Sequence, residues 1–359
     1  MTLGLGTRHG HAVALVALSV VTSGFAFSGS AHAQAATFEF AAIGDTGYSK
    51  RSEKEFDRMV DAMNKKNLAF VVHVGDFEAD PRPYLRNPDK ITMPCTDESF
   101  PRVLASFQRS KHPFVLTPGD NDWTDCHLLK VKPFDPKERL AKIRTMFYPE
   151  GHSLGQTTMP VVSQDKDKGF EKFRENLTWT KDGVVFATVD VVGSNDNFGR
   201  NPEEDAEHAE RTKANIAWVQ KAFAKAKASK APGLVLFTQA NVGFETHWSP
   251  SLRARYVRSV SGTKPPKEPK PNGFDDFIKA LTDEMESYDK PVLFVHGDTH
   301  LFRISKPLFN PKKKRFVQNF TRLEVFGDPD THWVRVTVDT AKPELFTIEP
   351  MVVPSNLPK

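Results

Sequence analysis

Apolar runs of strand length alternate with stripes of helical spacing along this chain. Residues 38–43 form the first run and predict a strand that stops at Gly44, Asp45, Thr46 and Gly47. Phe56, Met59, Val60 and Met63 then follow i, i+3, i+4, i+7 spacing and predict a helix. Residues 68–74 are apolar but for His73 and end at Gly75 and Asp76. Residues 114–117 make another strand, followed by Pro118, Gly119, Asp120, Asn121 and Asp122. The run 184–192 reads as a strand, and Ile216, Val219 and Phe223 mark a helix over about 203–228. Residues 234–238 predict a buried strand that ends at Gln239. Phe274, Phe277, Ile278, Leu281 and Met285 give the cleanest helical stripe. A strand at 292–295 follows and runs into His296, Gly297, Asp298, Thr299 and His300. Beyond about residue 316 the pattern turns to strands at 323–326, 333–338 and 345–348.

Continuous apolar strands with helices between them require sheets covered on at least one face. The antiparallel-looking strands of the tail suggest a second sheet in the same domain. The expected fold class is therefore α/β of mixed, α+β-like character, in a single domain over 34–359. Residues 261–273, rich in Pro and Lys, predict a long surface loop. The composition, 39% hydrophobic and 26% charged, excludes a disordered or fibrous chain. A net charge of +4 is too small to argue for nucleic acid, and the basic run at 312–315 reads as a solvated turn.

The first 33 residues set an expectation for compartment. Arg8 precedes an apolar stretch over 12–27, and Ala31, His32 and Ala33 make an A-x-A site. That is the form of a cleaved secretory signal, with no stable membrane span after cleavage and a secreted or periplasmic product. Cys95 and Cys126 follow it. An even pair in an oxidising compartment predicts a disulfide, and their spacing has no zinc-motif character. Asn176 and Asn319 each open a glycosylation triplet, which has meaning only in a eukaryotic secretory pathway. The pattern sets no oligomeric state.

The informative feature is where the acids fall. Five strands end in a polar residue at or just past the carboxyl end: Asp45, Asp76, Asp120, Gln239, and Asp298 with His300. Ligands in open α/β sheets sit beyond those ends. Each of the four acids follows a Gly, which lets the backbone turn tightly and approach a ligand. Carboxylates converging at one edge repel one another and call for a cation. One Gly-Asp pair is a common turn signal; four in this order, each at a strand end, are not.

Gly44-Asp45-Thr46-Gly47, Gly75-Asp76, Gly119-Asp120-Asn121-Asp122 and Gly297-Asp298-Thr299-His300 resemble the motifs of the calcineurin-like metallophosphoesterases, in order and spacing from Phe38 to His300. The resemblance implies two packed mixed β-sheets flanked by helices, the calcineurin-like phosphoesterase sandwich. It also implies a small-molecule phosphoester substrate and metal ions that activate water against it. By position it implies one metal site at Asp45, Asp76 and His300, and another at Asp76, Asp120, Gln239 and Asp298. Water, Glu78 or Asp80 could complete the first, or a single ion could bind.

Several positions depart from the family pattern. Gly47 stands where a metal-binding His is common, and Ala79 where purple acid phosphatases place a Tyr. Asp120 replaces a ligand Asn, Gln239 a His, and Asp298 the first His of the last motif. The second site thereby becomes all-oxygen, which favours Mg²⁺, Mn²⁺ or Ca²⁺ over Zn²⁺. Asn121 stands where the family has its catalytic His. An amide can hydrogen-bond a phosphoryl oxygen but cannot act as an acid. His127 and His247, in the motif loops, are the candidate replacements, and His73 and His296 flank the strands as residues that could orient ligands. Three readings follow: an exported metal-dependent phosphoesterase, an impaired relative that binds a cation or phosphorylated ligand without turnover, and a fold stapled by bound Ca²⁺.

Overall fold

The computed structural model describes residues 36–84, 86–87, 92–130, 133–262 and 272–358, with Met1 and Gly10. Apart from those two, the expected signal at 1–33 lies outside the described residues, as do positions 263–271 of the expected loop at 261–273. Among the described residues, no helix is long and apolar enough to cross a membrane.

The described residues form fourteen strands: β1 (Thr37–Ile43), β2 (Val71–His73), β3 (Phe114–Leu116), β4 (Val162–Ser163), β5 (Leu177–Lys181), β6 (Val184–Thr188), β7 (Leu234–Phe237), β8 (Val292–His296), β9 (Arg303–Ser305), β10 (Phe309–Asn310), β11 (Arg315–Phe316), β12 (Phe320–Glu324), β13 (Trp333–Asp339) and β14 (Phe346–Met351). One sheet has the order β14-β13-β1-β2-β3, the other β4-β5-β6-β7-β8-β12-β9. In the first, β1, β2 and β3 are parallel while β13 and β14 add antiparallel. In the second, β6, β7, β8 and β12 are parallel, with antiparallel strands at both edges.

The tail strands therefore do not build a sheet of their own. β12 inserts beside β8, and β13 pairs with β1 from Thr37↔Asp339 to Ala42↔Val334. The reason is burial: Phe40 to Ile43 of β1 are fully buried, and β13 covers the open edge beside them with Val334, Val336 and Val338. The strand expected over 184–192 stops at Thr188, where Asp190 and Gly193 interrupt the apolar run. The basic run at 312–315 forms the exposed hairpin between β10 and β11, as expected of a solvated turn.

The two sheets pack through aromatic side chains. Phe40 and Phe70 of the first meet Phe186, Trp179 and Phe237 of the second at centroid distances of 5.1 to 5.8 Å. Strand alternation buries both faces of the second sheet: Val235 and Phe237 face this shared core, while Leu234 and Leu236 face another. Helices Pro202–Ala228 and Asp275–Met285 close that outer core with Trp218, Phe223, Phe277 and Leu281. Helix Lys50–Met63 buries the predicted stripe Phe56, Met59, Val60 and Met63, and a Ser49–Ser52 capping box fixes its start just after Gly47. Asn176 is fully buried and bonded to Gln164 and Asn215, so its triplet is closed to glycosylation in the folded chain.

Candidate active site

The carboxyl ends of the parallel strands of both sheets meet at one edge. Asp45 follows β1, Asp76 follows β2 and Asp120 follows β3; Gln239 follows β7, and Asp298 and His300 follow β8. Direct bonds join the two sheets there. The Asp298 backbone N–H donates to Asp45 Oδ1 at 2.8 Å. Gln239 Nε2 donates to Asp76 Oδ2 at 3.1 Å and to Asp120 Oδ1 at 3.0 Å, while its Oε1 accepts from the Gly193 N–H at 2.6 Å. The Asn121 N–H donates to Asp76 Oδ1 at 3.2 Å.

Backbone geometry at this edge is unusual. Asp45, Asp76, Asp298 and His300 have φ of 49°, 54°, 83° and 61°, all in the left-handed region. Asp is among the side chains that tolerate it best, and such residues gather at functional sites. Gly75, at φ 98°, makes the tight turn expected of it, whereas two other motif glycines act differently. Gly119 and Gly297 have ordinary φ, but a Cβ on either would overlap the carboxylate of Asp76 or Asp45. They are small so that neighbouring acids can approach the backbone.

Asp122 locks the second and third motif loops together. Its carboxylate accepts from the N–H groups of Asp76, Phe77, Glu78 and Gly119 at 2.7 to 3.0 Å. Another support is absent from the motif pattern. Ser194 donates or shares its hydroxyl with Asp120 Oδ2 and Asp125 Oδ1, each at 2.8 Å. Ser194 belongs to the run Ser194 to Asn197, in which four successive residues have positive φ, a single left-handed turn. Sequence offered one hint of it: the Ser-Asn-Asp-Asn string holds residue types that accept this conformation.

The electrostatics follow from burial. Asp45, Asp76 and Asp120 are buried and Asp298 is half-buried; burial first, then the charge of neighbouring carboxylates, raises their carboxyl pKa values, Asp298 to about 8. No Lys or Arg among the described residues forms an ion pair with any of the four. Asp45 Oδ2 is buried without a hydrogen-bond partner. Asp125 is raised to about 7, chiefly by burial and then by Asp120. Tyr48, whose ring lies 5.6 Å from that of His300, is held neutral by burial and by Asp76 and Asp45.

His300 Nδ1 donates to the Asp328 carbonyl at 2.7 Å, which leaves the lone pair on Nε2, 3.8 Å from Asp45 Oδ1. His73 and His296 are fully buried neutral rings, each pushed down to about 3, His73 by burial alone and His296 chiefly so. His73 Nδ1 accepts the Gly75 N–H and so braces the second motif loop. Neither candidate acid forms a hydrogen bond to Asp45, Asp76, Asp120 or Asp298 among the described residues. His127 bonds the Thr124 carbonyl and Arg200, and His247 bonds Asp275 at 2.9 Å. Asn121 is brought to them, buried between Asp120 and Asp122.

The donor chemistry of Asp45, Asp76, Asp120 and Asp298 fits a hard divalent cation: carboxylate oxygens, three of the four side chains buried, with Asp45 Oδ2 unpartnered. As placed, Gln239 meets two of those acids through its amide hydrogens. No three His, Cys, Asp or Glu side chains among the described residues stand close enough together to form a coordination group.

No family model matches the sequence, and no curated protein matches it. The fold does have solved counterparts, and it is a calcineurin-like, metallophosphoesterase-type fold at low identity. A structure of PhoD aligns with a TM-score of 0.52 and 15% identity, over 88% of this chain and 68% of that one. A dimetal phosphatase from Danio rerio aligns over 88% of this chain and 99% of that one, at 9% identity and a TM-score of 0.46. The sandwich expected from the motifs is therefore the observed architecture, and the expected Cys95–Cys126 disulfide is formed, with Cα atoms 5.8 Å apart.

Proposed function

We propose that this protein is an exported phosphoesterase that hydrolyses a small-molecule phosphate ester with the help of one or two divalent cations, Mg²⁺, Mn²⁺ or Ca²⁺ in preference to Zn²⁺. One observation carries the reading: four carboxylates at the strand ends, three buried and that of Asp298 half-buried, have no Lys or Arg partner among the described residues. Left alone they hold protons or repel one another, and a cation relieves both. Asp45, Asp76, Asp120 and Asp298 are the residues to hold it, with His300 Nε2 beside Asp45. When bound, such an ion supplies Lewis acidity and lowers the pKa of water.

The remaining work falls to the chain. Gly119 and Gly297 let the acids sit against backbone, and Asp122 and Ser194 fix the loops that carry Asp76 and Asp120. Asn121 offers amide hydrogens to a phosphoryl oxygen and no acidic proton to the leaving group. That absence favours a second reading, cation or phosphate-ester binding without turnover. Elemental analysis of the purified mature protein, joined to hydrolysis of an activated aryl phosphate with each ion, separates the two. Turnover with Mg²⁺ or Mn²⁺ that EDTA abolishes supports the phosphoesterase. Bound metal with no turnover supports the binding protein, and the absence of both bound metal and turnover removes the phosphoesterase and the cation-binding form of the second reading.

A further inference from the structure

A cavity of about 200 Å³ opens beside the acidic edge, between the first two motif loops and helix Ser99–Phe107. Its walls include the rings of Tyr48, Phe56, Phe77 and Phe107. Two polar atoms at its lining residues, Tyr48 Oη and Glu78 Oε1, are buried and have no hydrogen-bond partner among the described residues. Glu78 is only 3% exposed. The cavity exists because two positions are small. Ala79 lines it, and a Cβ on Gly47 would meet nothing nearer than the Phe77 carbonyl oxygen at 4.0 Å. Tyr48 connects it to the carboxylates, through its ring contact with His300.

We propose that this cavity seats an uncharged aromatic alcohol group, the leaving group of an aryl phosphate ester. The proposal rests on the phosphoesterase reading and names its substrate class. Aromatic walls and two idle polar atoms suit one ring that carries oxygen. The volume suits it too, since an apolar cavity of about 150 Å³ holds benzene. Two of the carboxylates that line it are already engaged, Glu53 with Arg102 and Thr92 and Asp57 with Arg109, so neither of these selects a cationic group.

The chemistry at residue 121 points the same way by a separate route. Hydrolysis forms a bond from water oxygen to phosphorus and breaks the bond from phosphorus to the aryl oxygen. The bonding pair leaves on that oxygen as a phenolate, and the proton lost by water passes to solvent, where the phenolate is later protonated. A phenolate departs without an acid, whereas an alkoxide needs one. A chain with Asn121 in place of an acid and an aromatic cavity beside the carboxylates is matched to the first kind of ester.

The test uses phenol as a binding probe and phenyl and methyl phosphate as substrates, on the full chain with Mn²⁺. Ser106 and Val103 line the cavity from the helix, and both are partly exposed, so Ser106→Phe and Val103→Phe each fill it from outside the carboxylate group. Phenol binding seen by titration calorimetry, lost in a filled variant with an unchanged melting temperature, is the expected result. So is a KM for phenyl phosphate raised at least 10-fold in that variant, with inhibition by inorganic phosphate unchanged. Phenol binding that neither variant disturbs, no phenol binding at all, or a preference for phosphocholine over phenyl phosphate overturns the inference. Phenol binding lost in the variants, without hydrolysis of any ester, upholds the cavity as an aryl site and removes the phosphoesterase reading instead. Hydrolysis without phenol binding does the reverse.

Discussion

Asn121 sits in the middle of the motif edge with its N–H on Asp76, and it is the position where chemistry and family pattern part. General acid help is worth about 10²–10⁴ in rate, or about 3–5 kcal/mol. Asn121→His is therefore expected to raise methyl phosphate hydrolysis by about 100-fold or more while phenyl phosphate changes little. Asn121→Ala serves as the control that removes the amide without adding an acid, and equal rates for it and the native protein on both esters would make Asn121 a bystander. Gly297 tests the approach of backbone to acid. A methyl group there must displace the Asp45 carboxylate, and overpacking of that kind costs about 1–3 kcal/mol. Gly297→Ala should lower both the melting temperature and the bound-metal content; metal stoichiometry that holds would count against Asp45 as a holder. The Gly-Asp pairs were legible in the sequence as turns at strand ends. Their left-handed backbone, and the pressing of Gly119 and Gly297 against other motifs' acids, were not, because both arise from loops that meet only after folding.

At the scale of the element, the loop after β6 is the piece that sequence periodicity missed. An apolar run invited a longer strand, but the chain turns left-handed from Ser194 to Asn197, at a cost of about 1–2 kcal/mol per residue. Arg211 of helix Pro202–Ala228 holds it. That fully buried guanidinium bonds Asp196 Oδ1 at 2.5 Å, the Asp196 carbonyl at 2.9 Å, the Asp190 carbonyl at 2.8 Å and Glu207 at 2.8 Å. Removing one partner of a buried pair costs about 3–5 kcal/mol. Arg211→Met should lose about that much in urea unfolding, and should slacken Ser194 from Asp120, so the variant's catalytic rate should fall even where it remains folded. A full-rate folded variant would show the turn to be scaffolding alone. The disulfide is the second such brace. It closes a separation of 31 residues across the loop that carries Asp120, for which chain entropy gives about 3–4 kcal/mol. Unlike the turn, this element was readable beforehand, from an even pair of cysteines behind a segment with the pattern expected of an export signal. Replacement of Cys95 and Cys126 by Ser is expected to lower unfolding free energy by that amount, checked by urea titration of oxidised and replaced proteins.

Across the whole molecule, the two-sheet plan was legible because apolar runs and helical stripes are properties of local sequence, whereas the partners of the last strands depend on which edge remains open. The acidic edge also imposes a global pH dependence. The folded pKa of Asp298 is raised to about 8 from an unfolded value near 3.9, so its protonated form stabilises the fold, and that contribution fades as pH rises through 8. His73 and His296, pushed down to about 3, act in the opposite sense, but only below about pH 6.5. Metal-free protein should therefore melt at lower temperature at pH 8.5 than at pH 6.5, and Mn²⁺ should flatten that slope; a melting temperature indifferent to both would refute the electrostatic account. The pairing of β1 with β13 has a consequence in time. Thr37 waits for Asp339, about 300 residues downstream, which at about 5–20 residues per second is a delay of about 15–60 s during synthesis. Until β13 emerges, the strand that presents Asp45 has an open flank, so a nascent chain of this kind stays unfinished, and threadable, until the residues up to Asp339 have been made.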